Sequence, residues 1–350
     1  RDALEKLKKR NLNPERDEYY QAAYREVRDA WIKNHLSYRG RDRAAHWGFP
    51  NIYTYTKSMG ERLLAKNKGK INFAIVRPAI VESAMIYPEP GWNEGINTSA
   101  PLVYLRYKGH RTFPLSKENS LDIIPVDYVC GAMIAVAAAL MVDRNEHDVY
   151  HLGTSDKNPL MMPRLLELTS LATRKLREAE VNTPGWQKLV LNAMEGEIVS
   201  EATFNARSAP GISKALKGFR SLIGNIPTKS LGGVGKVIRT IDKSAHGLQK
   251  ATGTMGKMFE IFMPFIMYNK YKFIARNIDT IRFQLPEHEQ DRYGSPVDDM
   301  DWFHYWIKVH VPGLNRHVFP NLEDKLRASN KKTYTYEDLV DLFDSSTANF

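Results

Sequence analysis

"INFAIVRP", residues 71–78, is a short apolar run rich in β-branched residues, and it ends in a proline. Such a run is typical of a buried strand in a parallel sheet, which the proline closes after Arg77. Two later runs have the same character, "LDIIPVDYV" at 121–129 and "DVYHLG" at 148–153. They predict two more strands of the same sheet.

Helical patterns alternate with these strands. Apolar residues recur at helical intervals over 2–36, with a break near Asn13, whereas 37–50 is polar and irregular. Asn51 is a good N-cap for a helix that ends at the breakers 67–69, and Asp127 is a good N-cap for an apolar helix over 128–140. A further helix is predicted near 163–174. This alternation indicates an α/β fold with a mostly parallel sheet and helices on both faces.

The alternation stops near residue 175, which is where we expect a domain boundary. Residues 1–175 are expected to form the α/β domain, and 258–350 a helical C-terminal domain that begins with an aromatic, methionine-rich helix. Between them, 176–257 is expected to be a connecting segment, helical at first and then basic and glycine-rich.

The formal net charge of +10 favours acidic partners, and much of it lies in one segment. Residues 207–257 hold ten lysines and arginines against one acid, Asp242. Two interpretations stay open for this segment: a solvated linker, or a surface that binds anionic membranes or phosphate groups. The absence of an aromatic stacking series in it argues against nucleic-acid binding.

The single cysteine, Cys130, excludes a disulfide framework and fits a reducing cytoplasm. Its apolar neighbours predict a buried position. The longest apolar run, 130–142, is too short for the ~20 residues that span a bilayer, so we expect a cytoplasmic protein, with peripheral membrane contact as the open alternative. The ten histidines form no metal-binding motif, and no metal site is predicted.

The stretch "NIYTYTKSMGERLL", residues 51–64, places Tyr53 and Lys57 four residues apart on the predicted helix. Residues at this spacing share one helical face, and a nearby cation stabilises tyrosinate, which makes the phenol a better proton donor. The same spacing recurs at Tyr104/Lys108 and Tyr268/Lys272. Only Tyr53/Lys57 directly precedes a buried strand that ends in Arg77, and ligands of α/β sheets gather at the carboxyl ends of strands.

The segments "PNIYTYTK" (50–57), "AIVRPAIVESAMIYPEPGWNEG" (74–95) and "DIIPVDYV" (122–129) resemble the extended short-chain dehydrogenase/reductase superfamily, and specifically its fatty acyl-CoA reductase branch. "VYHLGTSDKNPL" (149–160) is similar to the end of the catalytic domain. "IFMPFIMYNKYKF" (261–273) and "MDWFHYWIKVHVPGL" (300–314) are similar to the helical domain of bacterial members. The resemblance covers most of 45–320 and weakens over 176–250.

This resemblance implies a Rossmann-like doubly wound sheet and reduction of a long-chain acyl-CoA by NADPH, to a fatty alcohol or an aldehyde. Tyr53 would be the proton donor, and Lys57 would bind the nicotinamide ribose and influence the Tyr53 proton. The backbone at Pro78, Ala79, Ile80 and Val81 would face the nicotinamide amide.

Two features of the family are missing. No glycine-rich nucleotide loop follows a strand, since "GGVGK" (232–236) lacks the spacing, and Ser37 lies outside any predicted strand. We therefore expect the N-terminal nucleotide-binding part and the catalytic serine or threonine to lie outside these residues, and this chain to be inactive alone.

Other functions stay open at this point. A related reductase could act on a carrier-protein thioester, a sugar nucleotide or a sterol. A non-enzymatic membrane-surface or lipid-binding protein, built around 207–273, is the alternative outside the enzymes.

Overall fold

A computed structural model of the chain describes residues 2–10, 13, 17–95, 98–180, 195–207, 263–321 and 324. The chain divides into two compact units, 1–73 and 74–350. The basic segment after residue 207 and the C-terminal stretch after 324 lie outside the described residues, so the interpretations of 207–257 stay predictions. The expected domain boundary near residue 175 also stays a prediction. Among the described helices, none is long and apolar enough to cross a membrane.

The described residues of the first unit form three helices: α1 (Asp2–Lys9), α2 (Asp17–His46) and α3 (Ile52–Asn67). Leu7 of α1 and Ala23 of α2 are buried together, and Arg10 pairs with Glu26 at 3.3 Å. The predicted irregular stretch after residue 36 is wrong, because α2 continues to His46. The only breaker within that stretch of the helix is Gly40, which costs a helix about 1 kcal/mol, too little to end it.

The predicted start of α3 is confirmed. The side chain of Asn51 accepts a hydrogen bond of 2.9 Å from the backbone N–H of Thr54, as an N-cap residue does. The helix ends at Asn67, next to Gly69, whose φ is +57°. Glycine reaches this left-handed region without strain, which suits it to the end of a helix.

The described residues of the second unit form six short strands: β1 (Ile75–Pro78), β2 (Ile80–Glu82), β3 (Thr112–Pro114), β4 (Ile123–Pro125), β5 (Val149–Leu152) and β6 (Glu197–Val199). All three described pairs, β1 with β5, β2 with β4 and β3 with β6, are parallel. The fold is therefore α/β with parallel strands and a further helical part, and it is consistent with a Rossmann-like NAD-binding domain. β1, β4 and β5 are the three predicted strands.

Helices cover these strands and continue past them. They are α4 (Ala100–Tyr107), α5 (Val126–Met141), α6 (Met162–Ala179), α7 (Glu201–Arg207), a π-helical turn (Pro264–Tyr268), α8 (Asn277–Arg282) and α9 (Glu287–Tyr293). The last is a mixed helix, residues 304–318, in which α-helical Val311–Gly313 joins two π-helical parts, His304–His310 and Leu314–Val318. Trp306, fully buried in the mixed helix, packs in one core with residues of α4 and α6.

Cys130 is exposed, so the prediction that it is buried is wrong. Helix α5 is apolar on every side, and hydrophobicity alone therefore cannot indicate which face is covered. The buried face contains Val129, Ala132, Ala135, Val136 and Ala139, whereas Cys130 shares the opposite face with exposed Met133 and Ile134.

The mixed helix crosses the loop after β2 at a contact between two glycines. A Cβ atom on Gly313 would lie 2.0 Å from the carbonyl oxygen of Gly91, and one on Gly91 would lie 2.6 Å from the carbonyl oxygen of Val309. Both obstacles are backbone atoms, which cannot rotate away. Only glycine at both positions allows the helix to approach the loop this closely.

We expect Gly313→Ala to lower the free energy of unfolding by about 2 kcal/mol or more, since overpacking against a fixed backbone forces the helix away. Chemical denaturation followed by circular dichroism measures the loss. Gly60→Ala in α3 is the control, because a Cβ there meets nothing within 4 Å and alanine favours a helix interior by up to about 1 kcal/mol. Equal stability of Gly313→Ala and the wild type would contradict the close crossing.

Candidate active site

Tyr53 and Lys57 lie together on an exposed face of α3. The ammonium of Lys57 is 5.6 Å from the centroid of the Tyr53 ring, within the range of a cation–π interaction. Tyr53 is 67% exposed, so its hydroxyl is accessible to a ligand. The spacing of four residues therefore brings the phenol and the cation together, as the sequence predicts for the pair.

The other two Tyr-x-x-x-Lys matches have different surroundings. Tyr104 is buried, and its ring packs against Phe319 at 5.2 Å, which makes it a core residue. The hydroxyl of Tyr268 donates to Glu201 at 2.9 Å, and the following Lys272 lies outside the helical turn. Of the three tyrosines, Tyr53 is the one that combines exposure with a lysine on its own helical face.

Residues Pro78, Ala79, Ile80 and Val81 in the second unit span the end of β1, the bend at Ala79 and the start of β2. The N–H of Ala79 donates to the carbonyl of Leu152 at 2.7 Å, and the N–H of Ile80 donates to that of Asp122 at 3.0 Å. These two donors are therefore engaged in the sheet. A nicotinamide amide bound at this bend would therefore contact other groups of the protein, such as the backbone carbonyl oxygens of the bend.

Asp127 fixes the loop that leaves the carboxyl end of β2. Its carboxylate accepts hydrogen bonds from three consecutive N–H groups, those of Met85 and Ile86 at 2.8 Å and that of Tyr87 at 3.1 Å. The prediction that Asp127 caps its own helix is wrong, because α5 begins at Val126 and the carboxylate faces the loop instead. Its role in the structure is to support the fold of this loop.

A buried polar network connects the same loop to the mixed helix. His310 is fully buried, with Nδ1 at 2.8 Å from the Ser83 hydroxyl and Nε2 at 3.0 Å from the Ser99 hydroxyl. Tyr305 donates to the carbonyl of Ser83 at 2.7 Å, and the backbone N–H of Ser99 donates to Glu82 at 2.8 Å. Both ends of the loop, residues 83 and 99, are thus bound to one imidazole.

Burial sets the charge of Glu82 and His310 in this network. Removal from water raises the pKa of Glu82 to about 7, although the N–H and hydroxyl of Ser99 and the hydroxyl of Thr98 partly counter the rise. Burial also lowers the pKa of His310 to about 3, so the imidazole is neutral near pH 7. The Oε2 atom of Glu82 is buried and makes no hydrogen bond with any described residue.

The sequence gives little indication of this network. The hydrogen bonds of His310 connect residues that are separated by 211 and 227 positions in the sequence. A single histidine in an aromatic helix belongs to no motif that a sequence search would recognise. The one local signal is "ES" at 82–83, two polar residues at the carboxyl end of an apolar strand. Polar residues at the carboxyl end of a parallel strand are common near functional sites.

Comparison with known proteins adds to this geometry. Residues 8–133 match the model of the male sterility protein family, an NAD-binding domain. This range contains Tyr53, Lys57 and the bend at 78–81. The chain is 30% identical over 291 residues to fatty acyl-CoA reductase 1 of Arabidopsis thaliana, which covers 80% of this chain and 54% of that protein.

Over about four fifths of its length, the chain is similar to fatty acyl-CoA reductases. It is also 29% identical to the alcohol-forming fatty acyl-CoA reductase of Simmondsia chinensis, over 82% of this chain and 56% of that protein. Over a shorter range of 113 residues it is 37% identical to human fatty acyl-CoA reductase 2. The family resemblance predicted from the sequence is confirmed. The chain spans about half the length of the plant relatives it matches.

We expect the substitution Glu82→Gln to raise the free energy of unfolding relative to the wild type, by an amount that depends on pH. The folded protein favours the protonated carboxyl, since the pKa of Glu82 rises from its ordinary value of 4.5 to about 7 on folding. The free energy of unfolding of the wild type therefore falls as the pH rises from 4.5 to about 7. The difference between variant and wild type should therefore grow over this range and stay constant above it. Denaturant titrations at several pH values measure this difference.

Glu118→Gln is the matched control. Glu118 is exposed, and its hydrogen bond with Lys270 lowers its pKa, so the substitution should give a difference that stays constant between pH 4.5 and 7. A Glu82→Gln difference that is equally independent of pH would contradict the buried, protonated carboxyl.

Proposed function

We propose that this protein takes part in NADPH-dependent reduction of long-chain fatty acyl-CoA to the fatty alcohol, or to the aldehyde alone. Its relation to the fatty acyl-CoA reductases supports the reaction class, and the match to an NAD-binding domain supports a nicotinamide cofactor. The observation that carries the proposal is the exposed phenol of Tyr53 with the Lys57 ammonium against its ring.

The reaction consumes one hydride and one proton at each step. In the first step the thioester carbon accepts the hydride, the carbon–sulfur bond breaks, and the leaving thiolate takes up the proton, which gives the aldehyde, the thiol of CoA and NADP⁺. In the second step the aldehyde carbon accepts a hydride and its oxygen accepts a proton, which gives the alcohol. NADPH, when bound, supplies the hydride.

We propose Tyr53 as the group that hydrogen-bonds the carbonyl oxygen and gives it a proton. As the proton leaves, negative charge develops on the phenol oxygen, and the nearby Lys57 ammonium stabilises that charge. Lys57 has two further donors, which we propose hold the ribose hydroxyls of the cofactor. Both roles need an accessible helix face, and the pair lies on one.

We propose Pro78, Ala79, Ile80 and Val81 as cofactor-binding residues. The peptide groups at this bend lie at the carboxyl end of β1, which is where ligands of parallel sheets bind. Because the N–H groups of Ala79 and Ile80 are used within the sheet, the contacts we propose involve carbonyl oxygens and the side-chain surface.

We expect Tyr53→Phe to lower kcat/KM for palmitoyl-CoA by roughly 10²- to 10⁴-fold, the usual contribution of a positioned general acid. The measurement is NADPH oxidation by the longest natural form of the protein that contains these residues. Product analysis distinguishes alcohol from aldehyde, and parallel assays with carrier-protein thioesters, sugar nucleotides and sterols test the alternative substrates.

Tyr55→Phe is the control for this experiment. Tyr55 lies two residues away in the same helix, and the centroid of its ring is 5.4 Å from that of Phe49. The substitution therefore removes a similar hydroxyl from a different face of the helix. We expect its activity to stay within about threefold of the wild type. Full activity in Tyr53→Phe would remove this residue from the mechanism.

A further inference from the structure

A narrow cavity lies in the core of the second unit. Its wall is formed by residues on or beside α4, β3, β4, α6, the π-helical turn and the mixed helix. Of the twelve lining residues that the structure describes, eleven are buried. The twelfth, Leu102 in the first turn of α4, is half-buried, so the cavity opens beside it. The free volume inside is about 30 Å³.

The wall of this cavity is almost wholly apolar, and its few polar side chains are engaged within the protein. The indole N–H of Trp306 donates to the Thr169 hydroxyl at 3.0 Å, and that hydroxyl donates to the carbonyl of Leu165 at 2.7 Å. The Ser99 hydroxyl lies 3.0 Å from Nε2 of His310. A polar ligand would lose its hydrogen bonds to water here, whereas an apolar group gains from leaving water.

The narrowness of the cavity selects among apolar ligands. A protein core is close-packed, so each further atom must displace part of the wall. The end of an unbranched alkyl chain needs the least displacement, whereas the fused rings of a sterol need more. Met162 lines the cavity and is fully buried, and its flexible, unbranched side chain can adjust to such a chain. The geometry therefore favours an alkyl chain over a sterol or a sugar nucleotide.

The opening lies beside a loop where ligands are expected. Leu102 follows Ser99 by three residues, and Ser99 ends the loop that leaves the carboxyl end of β2. Ligands of parallel sheets bind at such ends. The contact with His310 holds Ser99 in place, so one border of the opening is fixed. An acyl chain that extends from this end of the sheet therefore has an apolar space within the same unit.

We infer that this cavity binds the methyl end of the acyl chain and limits the chain length that the protein accepts. The inference rests on the proposed function, which supplies a long-chain acyl-CoA as the ligand. The chain end enters past Leu102 and replaces contacts between side chains of the wall. Met162 and Leu166 of α6 determine how many carbons fit, because their side chains occupy the space into which a longer chain would extend.

The test is titration of the longest natural form of the protein, without NADPH, with coenzyme A and with saturated acyl-CoAs of eight to eighteen carbons. We expect the Kd to fall about fourfold for each methylene that enters the cavity, the equivalent of about 0.8 kcal/mol, and to level off once the cavity is full. A Kd that does not depend on chain length, or that falls evenly up to the longest chain, would overturn the inference. Absence of measurable binding would also overturn it.

Leu166→Ala tests the wall itself. The substitution removes three carbons from a lining side chain, so the Kd should level off at chains about two or three carbons longer than in the wild type. Leu168→Ala is the matched control, because Leu168 lies in the same helix and the same core, is 1% exposed and does not line the cavity. This control should keep the limiting chain length of the wild type. An equal change in both variants would show a general loosening of the core and contradict the site.

A second measurement needs no variant. A palmitoyl-CoA analogue with a diazirine at its methyl end forms covalent bonds, on irradiation, with the residues nearest that end. We expect peptide mass spectrometry to find the label on the wall, in the peptides that contain Leu102, Leu166 or Trp306. Label confined to the exposed apolar face of α5, at Met133 and Met141, would contradict the cavity.

Tyr53→Phe separates this inference from the proposed function. The substitution should lower turnover and leave the limiting chain length and the position of the label unchanged. Turnover that survives in this variant would contradict the proposed role of Tyr53 alone. Turnover of palmitoyl-CoA by the wild type, with no label on the wall, would contradict the cavity alone.

Discussion

A neutral imidazole held between two serine hydroxyls determines how the second unit is assembled. His310 comes from the mixed helix near the end of the described chain, whereas Ser83 and Ser99 begin and end one loop after β2. Every member of this contact is buried, so each hydrogen bond replaces water that the group has lost. Burial lowers the pKa of His310 to about 3, although the Oε2 atom of buried Glu82 lies 4.0 Å from its Nε2, and the imidazole in this contact is therefore neutral.

This contact gives the C-terminal helices a role in the α/β part of the protein. The loop after β2 is bound by His310 at its ends and by the carboxylate of Asp127 at three of its N–H groups. Gly91 and Gly313 allow the mixed helix to approach the loop at backbone distance. The loop leaves the carboxyl end of a parallel strand, the position where ligands of such sheets bind, and rigid support there suits a binding surface.

The sequence predicts those features that depend on short-range pattern. β1, β4 and β5 are compact apolar runs, and Asn51 is a local capping signal, so both kinds of element were found. The sequence pattern does not predict β2, because this strand has three residues and only Ala79 separates it from β1, and β3 and β6 are equally short. The exposure of Cys130 could not be predicted because α5 is apolar all round. The contacts of His310 depend on residues far apart in the chain, and no local pattern encodes them.

The charge state of His310 tests this account most directly. The side-chain nitrogens of the ten histidines can be followed by ¹H–¹⁵N NMR as pH is lowered, with His310→Gln to assign the signal. Since burial lowers the pKa of His310 to about 3, its nitrogen shifts should stay those of one neutral tautomer from pH 8 to pH 4.5. A titration midpoint near 6.5, the ordinary value, would show that the imidazole is in contact with water and that the mixed helix is not held as described.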